Sequence, residues 1–134
     1  MTRSVFADTS FFVAFLSPTD TFHDVAVQRM ADPSQRLVTT SWILVELGNF
    51  LCDSPQRPMF VPFVDELRAD PTVQVVPADE ELLNAGLALY ASRPDKGYSL
   101  TDCISFAVMT RLGLTDALTA DRHFQQAGFN ALMR

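Results

Sequence analysis

The sequence predicts an α/β domain on a mainly parallel sheet, with residues 1–134 forming a single unit. Three observations predict it. Short apolar or β-branched runs alternate with stretches of helical periodicity, as strands joined by helical crossovers do. Prolines and Gly113 fall at the boundaries between these segments, with no repeat, low-complexity tract or linker. Finally, 134 residues of 48% hydrophobic content can bury one substantial core.

The elements follow in order. Residues 4–7 read as a short buried strand, and Thr9-Ser10 leads into a helix carrying Phe11, Phe12, Val13, Phe15 and Leu16, stopped near Pro18. Residues 20–30 form a second helical segment, closed by Asp32-Pro33. Leu37-Val38-Thr39 is a β-branched strand, and Ser41 is the expected N-cap of a helix reaching Leu51. Pro55 and Pro58 mark a loop, after which Pro62 fits the first turn of a helix with Phe63, Val64 and Leu67 on one stripe, ending before Pro71. A strand over residues 73–76 precedes a helix over 79–91, whose acidic start Asp79-Glu80-Glu81 suits the helix dipole. Residues 100–112 form an apolar helix ended by Gly113; residues 117–119 form a very short strand, 122–127 a helical turn, and 129–133 a segment placed to close the sheet.

Composition narrows the function classes. No stretch approaches the roughly 18 apolar residues of a membrane span, so a cytoplasmic protein without membrane association is expected. Cys52 and Cys103 lie in apolar helical contexts with neither zinc-ligand spacing nor a disulfide framework, and are expected to be buried free thiols. The net charge of −6 speaks against a nucleic-acid partner only until bound cations are considered, since two divalent ions would bring it to −2. Nine of the ten basic residues are Arg, suited to bidentate phosphate contacts, although they form no basic run.

Four carboxylates, Asp8, Glu46, Asp102 and Asp121, each follow or interrupt an apolar segment. Brought together they would repel one another unless protonated or neutralised, and hard cations such as Mg²⁺ or Mn²⁺ suit such a donor set. Each also has a plainer explanation. Asp8 or Ser10 could cap the first helix, Asp121 could cap the last turn, and Ser99-Leu100-Thr101-Asp102 has the form of a capping box. Glu46 sits inside its helix, where capping cannot explain it; at 100° per residue it falls about 60° to one side of Ile43, bordering the buried stripe. Asp8 and Asp121 follow strands, where an open α/β sheet gathers its functional groups. Asp116, His23 and His123 are more simply read as structural, and Asp116 is an open question as a fifth oxygen donor. Lys96 and Tyr98 offer a phosphate contact and a stacking face for single-stranded RNA, against the alternative of a polar loop with one packed Tyr.

The words around these acids carry a resemblance. Asp8-Thr9-Ser10 after a strand, Glu46 after Thr40-Ser41, Tyr98-Ser99-Leu100-Thr101-Asp102-Cys103 and Leu118-Thr119-Ala120-Asp121-Arg122-His123-Phe124 together resemble the four motifs of PIN-domain ribonucleases, over essentially the whole chain. Length and motif order are similar to the VapC toxins of type II toxin–antitoxin pairs. The resemblance implies a PIN-like three-layer α/β/α sandwich, Mg²⁺- or Mn²⁺-dependent cleavage of RNA, a homodimer, and inhibition by a cognate VapB-like antitoxin. Carried over by motif position, Asp8, Glu46, Asp102 and Asp121 become catalytic and metal-holding residues, with Ser10 and Thr119 as supporting hydroxyls.

Two other readings compete. A haloacid-dehalogenase-type phosphotransferase would want a second Asp two residues after Asp8, where this chain has Ser10. A non-catalytic PIN-like module that holds RNA or protein is disfavoured by retention of all four acids. Phe50, Leu51, Phe60, Phe63, Val64 and Leu67 are expected to wall a groove for an antitoxin helix or tail, with a basic antitoxin side chain reaching the acids.

Overall fold

The computed structural model describes residues 2–134. The chain forms β1 (Arg3–Ala7), α1 (Thr9–Leu16), α2 (His23–Met30), β2 (Gln35–Thr40), α3 (Ser41–Leu51), α4 (Arg57–Ala69), β3 (Val73–Val76), α5 (Glu80–Ser92), α6 (Leu100–Leu112), β4 (Asp116–Leu118), α7 (Arg122–Gln126) and β5 (Asn130–Ala131). The strands make one five-stranded sheet in the order β3-β2-β1-β4-β5, every pair parallel. Val5, Phe6 and Ala7 of the central strand are fully buried. Such a strand, covered on both faces, has to be continuously apolar rather than alternating.

The order of strands decides where a site can form. From β1 the chain moves outward through β2 to β3, then returns to the other side of β1 for β4 and β5. Right-handed crossovers then place α1–α4 on one face and α5–α7 on the other. Helix packing divides the same way: α1 meets α2 and α3, α3 meets α4, and α6 meets α5 and α7. The reversal leaves a crevice beyond the carboxyl ends of β1 and β4, where open α/β sheets bind ligands. Asp8 follows β1, and Thr119 to Asp121 follow β4. A contact between α3 and α6 across this end brings the helices of Glu46 and Asp102 together.

Two packing details hold the helices in place. Phe63 of α4 lies edge-on to Phe12 at 5.6 Å and beside Phe15 at 5.7 Å, tying α4 to α1. Gly86 lets α5 approach α6 so closely that a Cβ there would meet Ile104 Cγ1 at 2.4 Å and its Cα at 3.3 Å.

The structure departs from the sequence-based expectation at several element ends. The second helix begins at His23 rather than at residue 20, because the Asp20 carboxylate takes the Phe22 N–H in a local turn that competes with the helix. Thr40, not Ser41, caps α3, accepting the Ile43 N–H at 3.1 Å. Helix α4 starts at Arg57, so Pro58 occupies the first turn and Pro62 sits inside the helix. Cys52 is exposed, because it follows the last turn of α3 on the solvent side, whereas Cys103 is buried. The closing strand is only two residues long, Asn130–Ala131. Among the described residues no helix is long and apolar enough to cross a membrane.

Candidate active site

Asp8, Glu46, Asp102 and Asp121 line one cavity of about 560 Å³ at the carboxyl end of the sheet. Asp8 enters it from the end of β1, its N–H bonded to the Leu118 carbonyl at 3.1 Å, which extends the pairing of β1 with β4. Although Asp8 occupies the N-cap position of α1, its side chain makes no capping bond. The carboxylate instead accepts from two hydroxyls, Thr119 Oγ1 at 2.8 Å and Ser10 Oγ at 3.2 Å. Ser10 Oγ in turn accepts the Ala120 N–H at 3.1 Å, and Thr119 Oγ1 accepts that of Asp121 at 3.0 Å. Capping therefore does not account for Asp8.

It does account for part of what Asp102 and Asp121 do. Ser99 and Asp102 form the reciprocal capping box of α6, with Ser99 Oγ accepting the Asp102 N–H at 3.0 Å and Asp102 Oδ2 accepting the Ser99 N–H at 3.2 Å. Asp121 caps α7 through the His123 N–H at 2.9 Å. Each carboxylate keeps lone pairs free after its capping bond, so holding a helix end and facing the cavity are compatible. Glu46, mid-helix in α3, accepts from Thr9 Oγ1 at 2.5 Å.

His123, expected from sequence to be structural, lies inside the site. Its Nδ1 is 3.0 Å from Asp102 Oδ2 and 3.4 Å from Asp121 Oδ1. Asp102, Asp121 and His123 each present a ligand atom within 4.8 Å of the others, a grouping able to hold a metal ion. The signal available in sequence is positional: Asp121 as N-cap and His123 at the second helical position emerge at the same helix end. Asp20 and Phe22, from the turn between α1 and α2, and Phe50, one turn beyond Glu46, also line the cavity. Phe50 is 64% exposed there.

The remaining sequence candidates lie elsewhere. Lys96 and Tyr98 line a separate cavity, and Tyr98 is buried edge-on to Phe106 at 5.1 Å. Asp116 begins β4, well before the strand's carboxyl end, and accepts from Asn130 Nδ2 at 2.9 Å. His23 Nδ1 sits 2.8 Å from the Ala14 carbonyl.

The electrostatics of the cavity are those of crowded, poorly solvated acids. Burial pushes the Asp8 carboxyl up to about 7; the Thr119 hydrogen bond opposes this, and the charges of Asp102 and Glu46 add to it. Asp102 is raised for the same principal reason, with the charge of Asp121 adding and the His123 hydrogen bond opposing. Both shifts come first from burial and then from the neighbouring carboxylates. Asp102, Asp121 and His123 stand close enough to share a divalent cation, while Asp8 and Glu46 line the same cavity outside that closest group; the carboxylate oxygens among them suit a hard cation.

Fold and cavity together are those of an α/β domain that gathers carboxylates at the carboxyl end of its parallel sheet. The chain belongs to the PIN domain family, whose model matches residues 5–130. It is 27% identical over 125 residues to the 23S rRNA-specific endonuclease VapC20 of Mycobacterium tuberculosis, covering 93% of this chain and 95% of that one. The crystal structure of that protein, described as a Sarcin-Ricin loop cleaving toxin, superimposes with a TM-score of 0.82 at 28% identity over 93% of this chain and 95% of the other. The fold is also that of chains in FitAcB from Neisseria gonorrhoeae, with a TM-score of 0.65 at 18% identity over 95% of both chains. VapBC2 from Rickettsia felis gives 0.66 at 12% identity over 96% of this chain and 97% of the other.

Proposed function

We propose that this chain is a metal-dependent endoribonuclease, the toxin of a type II toxin–antitoxin pair, acting in the cytoplasm. The observation that carries the reading is convergence: Asp8, Glu46, Asp102 and Asp121, from four separate segments, line one cavity at the switch point of a PIN-family sheet. These four residues, with His123, are the groups that would hold Mg²⁺ or Mn²⁺. When bound, such an ion activates water and neutralises charge developing on a phosphodiester.

The protein's own groups have separable tasks. Thr119 and Ser10 fix the rotamer of Asp8 and lower the cost of its charge. The capping bonds of Asp102 and Asp121 anchor those carboxylates to the first turns of α6 and α7. His123 bridges them. Phe22 and Phe50 give the cavity apolar walls beside the acids, suited to the faces of unpaired bases.

The relationship to VapC20 supports ribosomal RNA as the substrate class, and the fold shared with the FitAcB and VapBC2 chains supports an antitoxin partner; a homodimer is part of the same proposal and rests on the family resemblance alone. The surface suited to the antitoxin is a groove of about 720 Å³ between α3 and α4, lined by Val45, Phe60, Val61 and Val64 and bordered by Arg57 and Arg68. Val45 and Val61 are more than 60% exposed, unlike the buried Phe63 and Leu67 beneath them. Expression with and without the cognate antitoxin, followed by mapping of new RNA 5′ ends, tests the proposal. Growth arrest with a discrete new end in 23S rRNA is expected; arrest without any new RNA end would return the chain to a binding role.

A further inference from the structure

A third cavity, of about 360 Å³, lies between the C-terminal end of α5, the middle of α6 and the end of α7. Arg93, Lys96, Tyr98, Thr110, Gln126 and Phe129 line it, and no carboxylate does. This is unusual in a chain of net charge −6. The active-site cavity contains the acids described above, and the α3/α4 groove sets Asp65 beside Arg57 and Arg68. Arg93 makes no ion pair among the described residues, and Lys96 pairs only with Asp95 at 3.9 Å, both side chains being well exposed. Such a pair contributes little and leaves the ammonium available.

Tyr98 completes a set of donors. Its ring packs at a steep angle to Phe106 at 5.1 Å and to His123 at 5.4 Å, and the residue is only 9% exposed, so little of the ring is open for stacking. Its hydroxyl has no hydrogen-bond partner among the described residues.

The two cavities share a rim. Along residues 96–99 the lining alternates, Gly97 and Ser99 facing the acids and Lys96 and Tyr98 facing the cations. On α7, His123 lines the acidic cavity and Gln126 the cationic one. Gly97 presents no side chain on this rim, its φ is +69°, and a Cβ there would have nothing within 4 Å. Gly97 therefore puts no side chain of its own between the acidic cavity and the cationic one.

We infer that the cavity at Arg93, Lys96 and Tyr98 is a phosphate-binding subsite for the RNA backbone flanking the cleaved bond. The inference rests on the ribonuclease reading above. Arg93 supplies a fork suited to two phosphodiester oxygens, Lys96 a point charge, and Tyr98 a neutral donor held rigid by its neighbours. Lys96 and Tyr98 thereby act one nucleotide or more from the reacting phosphate, Tyr98 through its hydroxyl rather than its ring face.

The test uses the full chain with Arg93→Gln and Lys96→Gln combined, and separately Tyr98→Phe. Cleavage is measured over a range of salt on a long RNA and on a short oligoribonucleotide without flanking nucleotides. For the double variant, KM on the long RNA should rise about 10- to 100-fold with kcat unchanged, the scale of charge-assisted hydrogen bonds to phosphate. The salt slope of log KM should shrink by about 0.7 for each single-strand phosphate that the variant no longer neutralises. The short substrate should be unaffected, and Tyr98→Phe should show a smaller effect of the same kind. Equal losses on both substrates, or an unchanged KM and salt slope on the long RNA, would overturn the inference. So would inhibition by inorganic phosphate that the double variant abolishes while its long-RNA KM stays normal, which would mark a site for the free ion. If the wild type proves not to cleave RNA, binding of the same two RNAs by anisotropy, with and without the double substitution, decides the subsite independently of the ribonuclease reading.

Discussion

Thr119 Oγ1 donates to Asp8 Oδ2 across 2.8 Å while accepting the Asp121 N–H at 3.0 Å, so one hydroxyl at the end of β4 positions two of the four acids. Thr119 is fully buried, and water cannot replace it. Thr119→Val should therefore leave Asp8 short of a donor, cost about 1–3 kcal/mol of stability and reduce RNA cleavage. Thr119→Ser should retain most of both. Thermal melts alongside cleavage assays check this pair, and a Val variant as active and stable as the Ser variant would remove the positioning role.

The raised carboxyls predict an inverted pH dependence in the metal-free protein. Asp8 has an ordinary value of 3.8 and is held at about 7 in the fold, and Asp102 is raised as well. A carboxyl raised by folding contributes stability that is complete below its unfolded value and is lost as pH rises through the folded one. In EDTA, stability should thus fall between pH ~4 and pH ~7, by on the order of a few kcal/mol from Asp8. Asp8→Asn should flatten the decline, and Mg²⁺ or Mn²⁺ should offset it by favouring the ionised acids. Melting temperatures across that interval are the readout; a decline of equal size in the Asn variant would exclude Asp8 as its source.

Gly86→Ala tests the seam between α5 and α6. Helix propensity alone favours Ala, but the new methyl would overlap Ile104, including its backbone. Overpacking should win, with a net loss of about 1–3 kcal/mol in chemical denaturation. The same substitution should cost less in an Ile104→Ala background, where Cγ1, the atom in closest approach, is gone. A stabilised Gly86→Ala would show that the two helices separate without cost.

Much of the fold is legible in the sequence because its local signals agree with its tertiary contacts. Helix α6 is read with the observed ends, since Ser99, Asp102 and Gly113 mark both of them chemically. The start of α4 is not, because Pro58 and Pro62 are equally good first-turn residues and only packing selects between them. The site is legible in its four acids. It is incomplete at His123, whose role depends on α7 meeting α6 across 21 residues, and at Tyr98, whose ring is buried beside Phe106 and His123.

Depth of burial on α4 is likewise invisible to periodicity, and it takes Phe63 and Leu67 out of the groove that they were expected to wall. Phe63 is 7% exposed and packs on Phe12 and Phe15, so Phe63→Asp should unfold the protein rather than only weaken a partner complex. Val61, at 63% exposure on the groove, is the informative position. Val61→Asp should fold normally and weaken antitoxin binding. Normal antitoxin binding by that variant would take the partner off this groove.

The clustered acids are held to bind a cation and cleave RNA, and the direct measurement is cleavage of total RNA by wild type, Asp8→Asn and Asp102→Asn. Each is assayed with Mg²⁺, with Mn²⁺ and with EDTA, beside melting curves in EDTA. Wild type should cleave only with metal. Both variants should lose cleavage steeply while Asp8→Asn melts at or above the wild-type temperature, because Asn keeps the hydrogen-bonding shape and removes charge repulsion. Undiminished metal-dependent cleavage by both variants would contradict the account.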